Sequence, residues 1–114
     1  MKLKEIVIRR RRWGRANTGG MLYDSTTKRQ CCLGFVCRAF GVPLSSIEGH
    51  GMPADIDAKV DRDTLPPWLL SETLRCDVDR AAYINDNLEI DEEEREAHIA
   101  AIFKRHGLRA VFKP

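Results

Sequence analysis

Gln30-Cys31-Cys32-Leu33-Gly34-Phe35-Val36-Cys37-Arg38-Ala39-Phe40-Gly41-Val42-Pro43 joins the clearest apolar periodicity of the chain to three of its four cysteines. Cys32, Phe35, Val36, Ala39 and Phe40 recur at helical spacing and form one continuous stripe, which Leu33 and Cys37 widen. Gly34, Arg38 and Gly41 are left on the other side. Gly41 supplies a C-terminal stop and Pro43 cannot continue the turn, so the spacing predicts a helix over about 32–41. Being nearly all apolar, it should be the buried centre of the fold.

Upstream, Lys4-Glu5-Ile6-Val7-Ile8 has the β-branched run of a short buried strand. Asn17-Thr18-Gly19-Gly20 is turn chemistry, Met21-Leu22-Tyr23 reads as a second strand, and Asp24 to Lys28 is a polar turn. A hairpin leading into the central helix is the simplest reading. Downstream, residues 43–67 carry four prolines and scattered anchors at Ile47, Met52, Ile56, Val60 and Leu65, which predicts an irregular connection with one or two short turns. Pro66-Pro67-Trp68-Leu69-Leu70 should start a helical turn.

Asp77 or Asp79 is placed to cap a helix through Ala81 to Ile84 that ends near Asn85-Asp86-Asn87. Asp91 caps the clearest surface helix, Glu92 to His106, with acids at its positive end, Lys104 and Arg105 at its negative end, and a buried stripe of Ile99, Ile102 and Phe103. Gly107 stops it, and Leu108-Arg109-Ala110-Val111-Phe112 alternates as a closing edge strand does. The expected fold is therefore α+β: one domain over 1–114, a small antiparallel sheet of about three strands, and three to four covering helices.

A chain of 114 residues is long enough to bury about two thirds of its unfolded surface as one domain. No apolar run approaches the roughly 18 residues of a membrane span, and the start lacks the apolar core of a signal peptide, which leads to a cytoplasmic expectation with no membrane partner. In that reducing compartment the cysteines should be thiols. The net charge of +2 is small, but the first 15 residues are strongly basic and residues 89–96 strongly acidic.

Arg9, Arg10, Arg11, Arg12 and Arg15 put five arginines around Trp13 and Gly14. Guanidinium forks suit phosphates and carboxylates, and Trp13 could anchor an interface or stack on a base. The competing reading is a basic strand end paired with Glu92 to Glu96. A second candidate is Cys32, because a thiol in the first turn of a helix feels its positive end. Its imidazole would come from His50, His98 or His106, and its orienting amide from Asn85 or Asn17. The competing reading makes Cys32 a small buried hydrophobe. Cys31, Cys32, Cys37, Cys76 and His50 contain no Cys-x2-Cys pair, so neither a metal nor another cofactor is expected. His50 reads as a loop residue between glycines, Asn85-Asp86 as a helix end and turn, and Glu89 to Glu96 as a solvated first turn.

The order Trp13-Gly14, Met21-Leu22, Cys31-Cys32-Leu33-Gly34-Phe35, Gly41-Val42, Pro53, Asn85-Asp86, a helix ending in Phe103 and a closing strand resembles a group of small phage and prophage proteins. That resemblance implies a phage or bacterial origin and no particular activity. Locally, Cys32 to Val36 with Ala39 to Pro43 is similar to the start of the catalytic helix in papain-like cell-wall cysteine peptidases. Here Cys31 replaces the Asp and Leu33 the Ser of that pattern. The leading expectation is a phage-derived accessory protein that binds a host protein or nucleic acid through Arg9 to Arg15, with its oligomeric state open. The alternatives are a small cysteine hydrolase with Cys32, His50 and Asn85, and a nucleic-acid-binding module using the same arginines.

Overall fold

The computed structural model describes residues 2–16, 20–57, 62–73 and 75–114. Strand β1 is Lys4–Arg9, and a 3-10 turn at Arg10–Arg12 ends it. Helices α1 (Cys32–Ala39), α2 (Leu44–Ile47), α3 (Asp77–Asp86) and α4 (Glu92–Arg105) follow, with 3-10 turns at Pro53–Asp55 and Pro67–Leu70 between α2 and α3. Strand β2 is Leu108–Lys113. Asn17, the turn through Gly19 and the anchor Val60 lie outside the described residues.

The sheet differs from the antiparallel three-stranded one that the sequence predicts. Among the described residues it has two strands, and β1 pairs with β2 in parallel, Lys4 opposite Leu108 through Arg9 opposite Lys113. The direction follows from α4. The chain turns at Gly107 (φ 77) and re-enters beside the start of β1, where Lys4 N donates to the Gly107 carbonyl at 3.0 Å. Met21-Leu22-Tyr23 does not join the sheet. Its backbone bonds go to Cys31, His50 and Gly49, and Tyr23 makes only an isolated bridge to Glu48.

The apolar face of α1 is also displaced from the expected stripe. Cys32, Leu33, Gly34, Val36 and Cys37 are buried, whereas Phe35 and Phe40 are half-buried and Ala39 is exposed. Gly34 explains the shift: a Cβ there would lie 1.9 Å from the Leu22 carbonyl oxygen, so the 21–23 segment crosses directly over the first turn. Only glycine admits that approach.

The later helices fall where their signals put them, except that neither Asp77 nor Asp79 caps α3: its N-cap is Cys76, without a side-chain cap bond, and both acids lie in the first turn. The Asp91 side chain accepts from Glu94 N at 2.8 Å and caps α4, and Ile99, Ile102 and Phe103 are buried. Of the predicted anchors in the connection, Ile47, Ile56 and Leu65 are buried and Met52 is partly so. Helix α3 turns Val78, Ala81 and Asn85 inward. Among the described residues the side chains of Asn85 and Arg95 are the two buried polar ones, 0% and 2% exposed. Arg95 donates to the carbonyls of Ile84 (2.7 Å), Asn85 (3.0 Å) and Ile90 (3.2 Å), placing its charge at the negative end of α3. Among the described residues no helix is long and apolar enough to cross a membrane.

Candidate functional site

The arginine run is divided by the point where β1 stops. Alternation ends at Arg9, and the 3-10 turn redirects the next three side chains. Arg10 forks onto Glu96 of α4 with two bonds of 2.8 Å, which raises its pKa further. Trp13 is fully buried, its ring 5.3 Å from Phe112, and its indole Nε1 donates to Asn85 Oδ1 at 2.7 Å. Arg15 lies over the Trp13 ring at 4.3 Å, ion-pairs with Glu92, and donates to the Arg10 and Trp13 carbonyls. Burial raises the Glu92 carboxyl, but hydrogen bonds from Arg15 and Arg95 outweigh it and hold the group below its ordinary value. Trp13, Arg10 and Arg15 are therefore parts of the fold, and the acidic first turns of α4 are their counter-charge.

What remains outside is a row of cations. Arg9, Arg11 and Arg12 are exposed. In-register pairing sets Lys113 beside Arg9, and both are exposed. Side chains at opposed positions share a sheet face, so this face reads Glu5 with Arg109, Val7 with Val111, and Arg9 with Lys113. Glu5 and Arg109 are an ion pair at 3.4 Å. The like-charged pair at the other end is destabilising. Arg12 extends the row, since its carbonyl accepts from Gln30 N at 2.8 Å and this places Arg29 alongside. Among the described residues none of Arg9, Arg11, Arg12, Arg29 and Lys113 has a carboxylate partner. Sequence reading missed Arg29 and Lys113; the alternation of 108–113 marks Lys113 as outward-facing, but only the register puts it beside Arg9.

The thiol candidate has a different environment. Cys32 is the first residue of α1 and is fully buried, with Sγ 3.8 Å from the Ala81 carbonyl. Burial, then the neighbouring Cys31 and Asp86, push its pKa well above the ordinary thiol value. Burial likewise raises Cys31 to about 11 and Cys37 to about 12. The positive helix end acts on the backbone instead: Cys32 N donates to Asn85 Oδ1 at 3.0 Å.

The histidines lie elsewhere. His50 is 4.0 Å from Asp57, and His98 pairs with Glu94 along α4. His106 sits 2.7 Å from Asp77 and stacks on Trp68 at 4.2 Å. Among the described residues no imidazole reaches the Cys32 thiol, and no group of three His, Cys, Asp or Glu is placed to hold a metal ion.

Asn85 is thus neither a helix-end turn nor an orienter of a catalytic histidine. Its oxygen accepts from Trp13 and Cys32, and its Nδ2 donates to the Gly14 carbonyl at 3.0 Å and to Asp86 Oδ1 at 2.9 Å. It ties the arginine segment to α1 and α3, which fixes the direction in which Arg9, Arg11 and Arg12 emerge. A groove of about 770 Å³ runs beside α3 and α4, lined by Arg80, Tyr83, Ile84, Asp86, Ile90 and His98, with both charge signs on its walls. Compared with known proteins, the chain matches no family model, no curated protein and no solved structure.

Proposed function

We propose that this chain is a binding protein that docks an anionic host macromolecule on the cationic rim formed by Arg9, Arg11, Arg12, Arg29 and Lys113. One observation carries the reading: Arg9 and Lys113 are held side by side in register with no carboxylate partner among the described residues, although carboxylates elsewhere neutralise Arg10 and Arg15 of the same run. Repulsion of that kind is retained at a cost to stability, and an incoming anion relieves it. Occupation of the partner's surface is then the mechanism. The resemblance to phage proteins supports a phage-derived accessory role in a bacterial cytoplasm. The cysteine hydrolase is set aside on the burial and raised pKa of Cys32.

Retention on heparin and poly-glutamate beads tests the rim. Arg11→Glu with Arg12→Glu should elute at distinctly lower salt than the parent on at least one support. Arg80→Glu with Lys104→Glu carries the same change in net charge away from the rim and should elute near the parent. Equal loss in both variants would mean that net charge, not this surface, governs binding.

A further inference from the structure

Resting on that reading, we infer that the partner is duplex nucleic acid, held through its phosphates and without reading base sequence. The rim offers donors only, four guanidinium forks and one ammonium, which is the chemistry of backbone contact. A stable protein partner buries about 800 Å² per side around an aromatic or aliphatic anchor. The exposed large hydrophobics among the described residues are Val7, Met21, Tyr83 and Leu88, and of these only Val7 shares the face of Arg9 and Lys113. The one aromatic within the arginine run, Trp13, is 0% exposed, with Arg15 over one face and Phe112 packed against it. That removes the stacking platform on which single strands are bound.

Base reading is equally unsupported by the geometry. The rim is built from the end of a strand and a three-residue 3-10 turn, with no helix to enter a major groove, and the two-stranded ribbon behind it carries Glu5 on the face of Arg9 and Lys113. Farther along the same sheet face stands Glu5, which phosphates repel, so contact is confined to the end that carries Arg9 and Lys113. A phosphate between Arg9 and Lys113, with its neighbours on Arg11 and Arg12, neutralises the like-charged pair. Arg29 flanks the row.

Fluorescence anisotropy with a labelled mixed-sequence duplex, titrated from 50 to 200 mM salt, tests this. Three phosphate contacts predict a slope of log K against log salt of about −2.7, and roughly a 40-fold loss of affinity across that range. Arg11→Ala with Arg12→Ala, two exposed positions, should fold as the parent does and lower the slope by about 1.8. Duplexes of different sequence should bind within a few-fold of one another. Tighter binding of a single strand, or a tenfold sequence preference, overturns the inference. Rim-dependent retention on poly-glutamate with no duplex binding also overturns it but leaves the proposed function standing. No rim-dependent binding to any of these polyanions removes both.

Discussion

Replacing Asn85 by leucine tests whether one amide organises the molecule. The side chain is fully buried, and its removal strands three buried partners: the Trp13 indole N–H, the Cys32 amide and the Gly14 carbonyl. Each unsatisfied group costs about 1–3 kcal/mol, while leucine no longer buries an amide of its own; together these give a loss of about 3–5 kcal/mol. A chain of this size is stable by roughly 6–15 kcal/mol, so urea unfolding followed by tryptophan fluorescence should show a clearly lower midpoint.

Asn85→Asp is the sharper companion. It keeps the acceptor for Trp13 and Cys32, but at neutral pH it loses the donor to Gly14 and buries a charge next to Asp86. Its folded-state pKa is therefore raised above the ordinary carboxylate value of about 3.9. Stability of this variant is fullest below the unfolded pKa and falls as pH rises through the folded one, so its deficit against the parent should narrow from pH 7 towards pH 4. A cost under about 1 kcal/mol for the leucine variant, or a deficit of the Asp variant that does not change with pH, would refute the reasoning.

Three further outcomes are expected. Gly34→Ala should cost about 3 kcal/mol or more, because the new methyl meets the Leu22 carbonyl at 1.9 Å and both lie in backbone; an unchanged thermal midpoint contradicts the crossing described. Native thiol labelling at pH 8 should modify Cys76, which is half-buried, well before Cys31, Cys32 and Cys37, and early labelling of Cys32 on mass mapping would reopen the nucleophile question. Hydrogen bonds from Arg105 and then His106 hold the Asp77 carboxyl below its ordinary 3.8. A depressed folded pKa adds stability above that value and loses it as pH falls further, so Asp77→Asn should lower the urea midpoint at pH 7 and match the parent at about pH 2.

Much of the fold is local and was legible. Asp91, the acids after it and Gly107 delimit α4 within the chain itself, and the alternation of 108–113 identifies a strand. Pairing direction is not legible in this way, since alternation is the same whichever way a neighbour runs. It was fixed by α4 carrying the chain back to the start of β1. Helical spacing leaves Gly34 off the apolar stripe, and no local rule shows that Leu22 passes over it.

The candidate site divides along the same line. A basic run around Trp13 is visible by composition, yet Glu92, Glu96 and Asn85, which settle the fates of Arg15, Arg10 and Trp13, stand 72 to 86 residues away. One signal was available: Val78, Ala81 and Asn85 share a helical stripe, and a polar side chain at a core position calls for buried partners.

The pairing of β1 with β2 also bears on how the molecule comes into being. Each rung closes across 104 residues, so the strand made first is completed by one made much later. During synthesis β1 stays unpaired, and the cations Arg9 and Lys113 stay apart, until residues 108–113 have been added. Non-local closure of this kind slows the search for the native state and delays the cooperative transition until synthesis has passed β2. The rim is therefore absent from the nascent chain and arises with the last rung.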